Sequence, residues 1–154
     1  MSDETVQLHA CTALTNFLHN NVDNRFRFIE DAGVDILVAA MELYQDSVNI
    51  QRRACWALLT LVGTDEISRL VANGGAVSAV VKAMITHRMD PGVQQFGCWA
   101  ISNLALAGED VKRKLKKAGV IEVCRIAMEA HANDAEVIRQ ARNAVGAMGP
   151  QSKK

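Results

Sequence analysis

A string that returns every 43 residues constrains this chain more than any other feature, because a repeat dictates the architecture before any single element is assigned. Gly33-Val34-Asp35-Ile36-Leu37-Val38, Ala76-Val77-Ser78-Ala79-Val80-Val81 and Gly119-Val120-Ile121-Glu122-Val123-Cys124 superpose on that shift, with Val34, Val77 and Val120 in one column. It also carries Ala54-Cys55-Trp56-Ala57-Leu58 onto Gly97-Cys98-Trp99-Ala100-Ile101 and then onto Gln140-Ala141-Arg142-Asn143-Ala144. A shift of 44 brings Ala10-Cys11-Thr12-Ala13-Leu14 onto the first of these. The chain of 154 residues divides on this basis into one domain, 1–150, and a tail, 149–154. The domain holds a partial repeat at 3–19 and full repeats at about 22–62, 64–107 and 109–148.

Punctuation inside one unit predicts three helices. Asp65 and Glu66 open a segment in which Ile67, Leu70 and Val71 keep helical spacing, with Thr64 as its cap and Gly74-Gly75 as its stop. Gly33, Gly75 and Gly119 are expected to turn the chain into the second helix, because left-handed backbone costs glycine little. That second helix is predicted over 77–88. Asp90-Pro91-Gly92 breaks it, and a third runs over 93–107, ending at Gly108. No alternation of the strand type survives, so the class is all-α.

Apolar residues make up 49% and charged residues 22%, which excludes a disordered segment. No uninterrupted apolar run approaches the roughly 18 residues of a membrane helix, and Met1-Ser2-Asp3-Glu4 is acidic where a signal peptide is basic. The expectation is an intracellular protein, cytoplasmic with nuclear entry left open, and without membrane insertion. Seventeen Lys and Arg balance seventeen Asp and Glu, which argues against a general nucleic-acid binder. The balance hides an asymmetry: residues 1–50 sum to minus six, 51–100 to plus two and 101–154 to plus four.

On the third helix of the middle copy, Val93, Gly97, Ala100, Ile101 and Leu104 cluster within about 100° of arc and form the core stripe. Trp99 lies roughly 135° from its centre and Asn103 about 95°, on the same side and one turn apart. An indole turned from its own core calls for a cover. Trp56 occupies the same register one copy earlier, so the two indoles should frame a slot about 10 Å wide, the spacing of packed helices.

These residues resemble the armadillo repeat family. The period, the glycine before the second helix, and Val93-Gln94, Trp99-Ala100 and Asn103-Leu104 in the third carry the resemblance over nearly the whole chain. It implies a right-handed α-α superhelix of about three three-helix repeats plus a partial one. Trp99-Ala100-Ile101-Ser102-Asn103 is similar to the pair that lines the groove of importin-alpha, where the asparagine holds a peptide backbone and the tryptophans flank its side chains.

The match thins along the array. On a shift of 44 from the partial copy and 43 thereafter, the tryptophan column reads Thr12, Trp56, Trp99 and Arg142, and the asparagine column reads Asn16, Thr60, Asn103 and Gly146. One turn before the indoles stand Arg52 and Gln95, Arg53 is adjacent, and Arg139 and Arg142 extend the face into the last copy. This lining should disfavour a basic import signal and favour an acidic or amphipathic segment, as in the basic groove of beta-catenin. The plain alternatives are indoles packed between repeats, an asparagine on the surface and arginines on a solvated face. Two other functions compete: a structural segment of a longer or self-associating array, and a nuclear transport adaptor. Leu8, Leu14 and Phe17 lack a preceding neighbour, and the acidic beginning and basic end favour head-to-tail contact.

Other chemistry finds no support. Cys11, Cys55 and Cys98 recur one per copy, about 10 Å apart, too far for a disulfide or a shared metal, and Cys124 sits in a second helix. His9, His19, His87 and His131 show no recurring spacing, so no metal site is expected. Lys112, Arg113, Lys114, Lys116 and Lys117 form one dense basic run, but Val111, Leu115 and Ala118 keep helical spacing through it and no aromatic is interleaved to stack a base. No nucleophile has a histidine and acid in a recognisable pattern, and no phosphate loop occurs. The sequence therefore points to a protein-binding module that is not an enzyme and needs no cofactor.

Overall fold

The computed structural model describes residues 3–149, and among them ten helices and no strand. A lone third helix, α1 (Asp3–Leu18), comes first. Three triplets follow: α2 (Val22–Glu30), α3 (Gly33–Leu43) and α4 (Val48–Leu61); α5 (Asp65–Asn73), α6 (Ala76–Thr86) and α7 (Pro91–Ala105); α8 (Glu109–Lys117), α9 (Val120–Ala130) and α10 (Ala135–Ala147). Like packs on like: α1, α4, α7 and α10 stack in order, as do α3, α6 and α9, and α2, α5 and α8. The core is the seam between these stacks, and the stripe of Val93, Gly97, Ala100, Ile101 and Leu104 is buried throughout.

Short polar side chains start the helices. The Thr64 hydroxyl accepts the Ile67 N–H, Asp90 accepts the Val93 N–H ahead of Pro91, and Asp134 accepts those of Glu136 and Val137. Gly75 and Gly119 take the left-handed turn before the second helix, at φ 86° and 77°. In the first triplet the turn falls not on Gly33 but on Ala32, at φ 56°. Gly33 is there for a different reason. A Cβ at that position would lie 2.4 Å from both the ring and the carbonyl oxygen of Phe28.

Capping residues also fix the true register. The caps of the third helices are Ser47, Asp90 and Asp134, separated by 43 and then 44 residues. The extra residue lies where α7 passes into α8, since α7 has 15 residues to 14 in α4. From α8 onward the shift is therefore 44. The valine column ends on Ile121, the tryptophan column on Asn143 and the asparagine column on Ala147, in place of Val120, Arg142 and Gly146.

Polar links tie the triplets. Buried Gln51 donates its amide to the carbonyls of Met41 and Tyr44, and buried Gln94 does the same to Met84 and His87. These are end carbonyls of α3 and α6 that have no partner inside their own helices. The His87 ring bonds the carbonyl of Gln45, and the His131 ring that of Arg88. His87 and His131 stand at the same cap, 44 residues apart, so two of the four histidines do recur, contrary to expectation. All four cysteines are free and buried. Cys98 nonetheless lies 3.8 Å from Cys124, sulfur to sulfur, across the α7–α9 seam, a contact that the spacing of the recurring cysteines did not show. Burial pushes the Cys55 thiol up to about 12, and Cys98 rises as well, through its contact with Cys124 and through burial.

Candidate functional site

The third helices α1, α4, α7 and α10 carry all the predicted groove residues. Trp99 is 38% exposed, while Trp56 is half-buried. The slot expected between the two indoles is closed at one side by Phe96. Its ring stacks on Trp56 with centroids 5.4 Å apart and planes 9° from parallel. Phe96 stands one turn before Trp99 on α7, at the register of Arg53, and is not among the residues expected to line the groove. The signal was available: a phenylalanine outside the core stripe, on the side of the helix that carries Trp99.

The arginines divide into two groups. Arg53 lays its guanidinium 5.3 Å from the Trp56 ring centroid, a cation on the aromatic face. Arg52 is already engaged: Nε and a terminal nitrogen reach the two Asp90 carboxylate oxygens at 3.2 and 2.5 Å. Its stem crosses Gly92, where a Cβ would meet Arg52 Nε at 2.6 Å, so the glycine after Asp90-Pro91 makes room for the link. Burial pushes the Asp90 carboxyl up, but the Arg52 bonds and the N–H groups of Val93 and Gly92 outweigh it and hold it below the usual carboxylate range. Arg139 pairs with Glu136 on its own helix, and the Glu136 carboxyl is lowered by that bond first and by Gln140 second. Arg142 is exposed, but on the corrected register it belongs to the outer row of α10 and not to the tryptophan column.

Asn103 is half-buried one turn beyond Trp99. With Val62, Gly63, Thr64, Asp65, Ser68, Leu106 and Ala107 it lines a cavity of about 320 Å³ beside the groove, and Leu106 is largely exposed at its mouth. The remaining candidates contribute less. Thr60 turns its hydroxyl back to the Ala57 carbonyl, Asn16 is exposed on α1, and Gln95 is half-buried between Phe96 and Gln94 in the chain. A depression between α3 and α6, bounded by Met41, Glu42, Gln45, Ser78, Lys82 and Thr86, holds about 30 Å³, no more than a water molecule needs. Among the described residues no cluster of His, Cys, Asp and Glu could hold a metal ion, and no helix is long and apolar enough to cross a membrane.

No protein-family model and no curated protein matches the chain. Solved structures do. Two engineered proteins superpose with TM-scores of 0.82 and 0.85 at 26% identity over 96% of this chain. A designed armadillo repeat protein in complex with peptide (KR)4 superposes at 0.82, again with 26% identity over 96%. The chain has an armadillo-type repeat fold. It spans 57 to 59% of the length of these three chains. The armadillo-type repeat accounts for the stacking order: third helix packs on third helix, so residues one repeat apart, such as Trp56 on α4 and Trp99 on α7, hold equivalent positions on neighbouring helices.

Proposed function

We propose that the chain is a protein-interaction module whose inner wall binds an extended amphipathic segment of another protein. The exposed Trp99 beside the half-buried Asn103 carries this reading. An indole buries on the order of 200 Å² when covered, so closing the exposed part recovers about 2 kcal/mol at about 25 cal/mol per Å². The Asn103 amide both donates and accepts, and so holds a backbone without reading its side chains. An apolar side chain against Trp99 and a second one entering the cavity beside Leu106 would set the spacing of the segment.

Charge selects amphipathic over uniformly acidic ligands. Arg52 and Arg139 are already spent on Asp90 and Glu136, which leaves Arg53 as the cation beside the aromatic floor. The designed relative was solved with a basic peptide, which supports peptide binding by this fold. A lysine-rich ligand, and with it the transport-adaptor role, fits poorly beside Arg53. The test is capture of a labelled peptide of alternating acidic and apolar residues, with (KR)4 as comparison. The double variant Trp99→Ala, Asn103→Ala should lose binding with its helical signal unchanged. Unaltered binding by that variant rejects the groove, and preference for (KR)4 rejects the charge assignment.

A further inference from the structure

Each third helix turns one row into the seam formed by the third helix before it and the second helix of its own repeat, where a Cβ on Gly97 would meet Met84 and Val80. In α4 the row is Ile50, Ala54, Ala57 and Leu61, in α7 Val93, Gly97, Ala100 and Leu104, and in α10 Val137, Ala141, Ala144 and Met148. All twelve are buried. Large residues close the ends and small ones the middle, which lets two helices approach closely. The same register in α1 reads Val6, Ala10, Ala13 and Phe17, in the same order of size. All four are exposed, Val6 by 45% and Phe17 by 53%, with nothing among the described residues to cover them.

At the other end, α10 turns outward Arg139, Arg142 and Gly146, where α4 has Arg52, Cys55 and Leu59 and α7 has Gln95, Cys98 and Ser102. A Cβ at Gly146 would meet nothing within 4 Å. We propose that a second copy of this chain seats the outer row of its α10 on the vacant row of α1, head to tail, continuing the stack of third helices.

Three correspondences select this occupant. Phe17 is the largest residue at its register and Gly146 the smallest at the facing one, so the pair compensates in volume. Asp3 stands 44 residues before Ser47 and so at the cap register of Asp90. Arg139 stands 44 residues after Gln95 and so at the register of Arg52. Arg139, whose partner within its own chain is Glu136 one turn back on α10, exchanges it for Asp3 of the next copy, at the register where Arg52 meets Asp90 within the chain. The ends also carry opposite charge, minus six over 1–50 against plus four over 101–154. Arg142 holds the register of Cys98, which faces α9, the second helix of the following repeat. No described second helix precedes α1, so the Arg142 guanidinium stays in water. Such a contact is heterologous and repeats into an open array.

Light scattering on the intact chain tests it. The expected result is a mass that rises with concentration and falls with added salt. Phe17→Glu charges one face and Gly146→Leu fills the other; Phe17 is exposed and Gly146 faces open space, so both variants keep the fold, which far-ultraviolet dichroism checks. Each alone should be monomeric, and an equimolar mixture should form dimers that go no further, because only one productive pair of faces remains. A monomer at every concentration overturns the proposal. So does association lost in Phe17→Glu but kept in Gly146→Leu, which would mean that two α1 faces meet each other.

Discussion

Ala32 and Gly33 show how one residue can hold two neighbouring constraints apart. Ala32 occupies the left-handed region at φ 56°, which costs a residue with a Cβ about 1–2 kcal/mol, and glycine gives part of that back as chain entropy in the unfolded state. Ala32→Gly is expected to raise stability by about 0.5–1 kcal/mol, read as a higher urea midpoint. Gly33→Ala drives a Cβ into the Phe28 carbonyl oxygen, which cannot move aside as a flexible side chain could, and is expected to cost about 1–3 kcal/mol. A pattern search sees a glycine near a joint and assigns it the turn. It cannot see that the neighbouring backbone passes too close for any side chain. Phe96 was legible as an aromatic outside the core stripe, but its stacking on a ring one repeat away was not.

Asp90 joins residue chemistry to pH. Its folded carboxyl titrates lower than the unfolded value of about 3.9, so its contribution is complete above that value and is lost as pH falls through the folded one. Urea midpoints measured downward from about pH 5 should fall for the native chain and fall less steeply for Asp90→Asn. At neutral pH Asp90→Ala removes a helix cap and leaves Arg52 unpaired, at a cost of about 1–2 kcal/mol. Equal slopes for the native chain and Asp90→Asn would refute the link.

At the scale of the element, helix ends need partners, and Gln51 and Gln94 supply them to the last carbonyls of α3 and α6. Gln94→Ala leaves two carbonyls at a buried seam without that donor and is expected to destabilise by about 1–3 kcal/mol by urea titration. The third triplet has Ile138 at this register, so Ile138→Ala should lose only apolar contact, and the two variants should differ in their polar component. The helices themselves were legible: caps, breakers and apolar spacing placed α5 at 65–73, and the other elements of that triplet within two residues of their ends. The register was less so. The 43-residue shift lays Gly119 on Ala76, and the single added residue before α8 moves its true counterpart to Gly75.

Across the whole molecule, the repeat settles architecture from sequence because every triplet buries the same faces against the same neighbours. Function is less legible for the same reason. A repeat shows which side chains share a register but not which of them spend their charge on one another: Arg52 with Asp90 was invisible until the helices were stacked, whereas Arg139 with Glu136, three residues apart on α10, was within reach of helical spacing alone. Trp99 remains the residue on which the proposed groove depends. In Trp56→Phe, which keeps an aromatic ring on Phe96, Trp99 is the one indole left. Its emission on titration with the alternating acidic and apolar peptide is the most direct measurement: a shift to shorter wavelength with protection from acrylamide quenching is expected. Emission and quenching that stay constant at saturating peptide would contradict a groove built around Trp99.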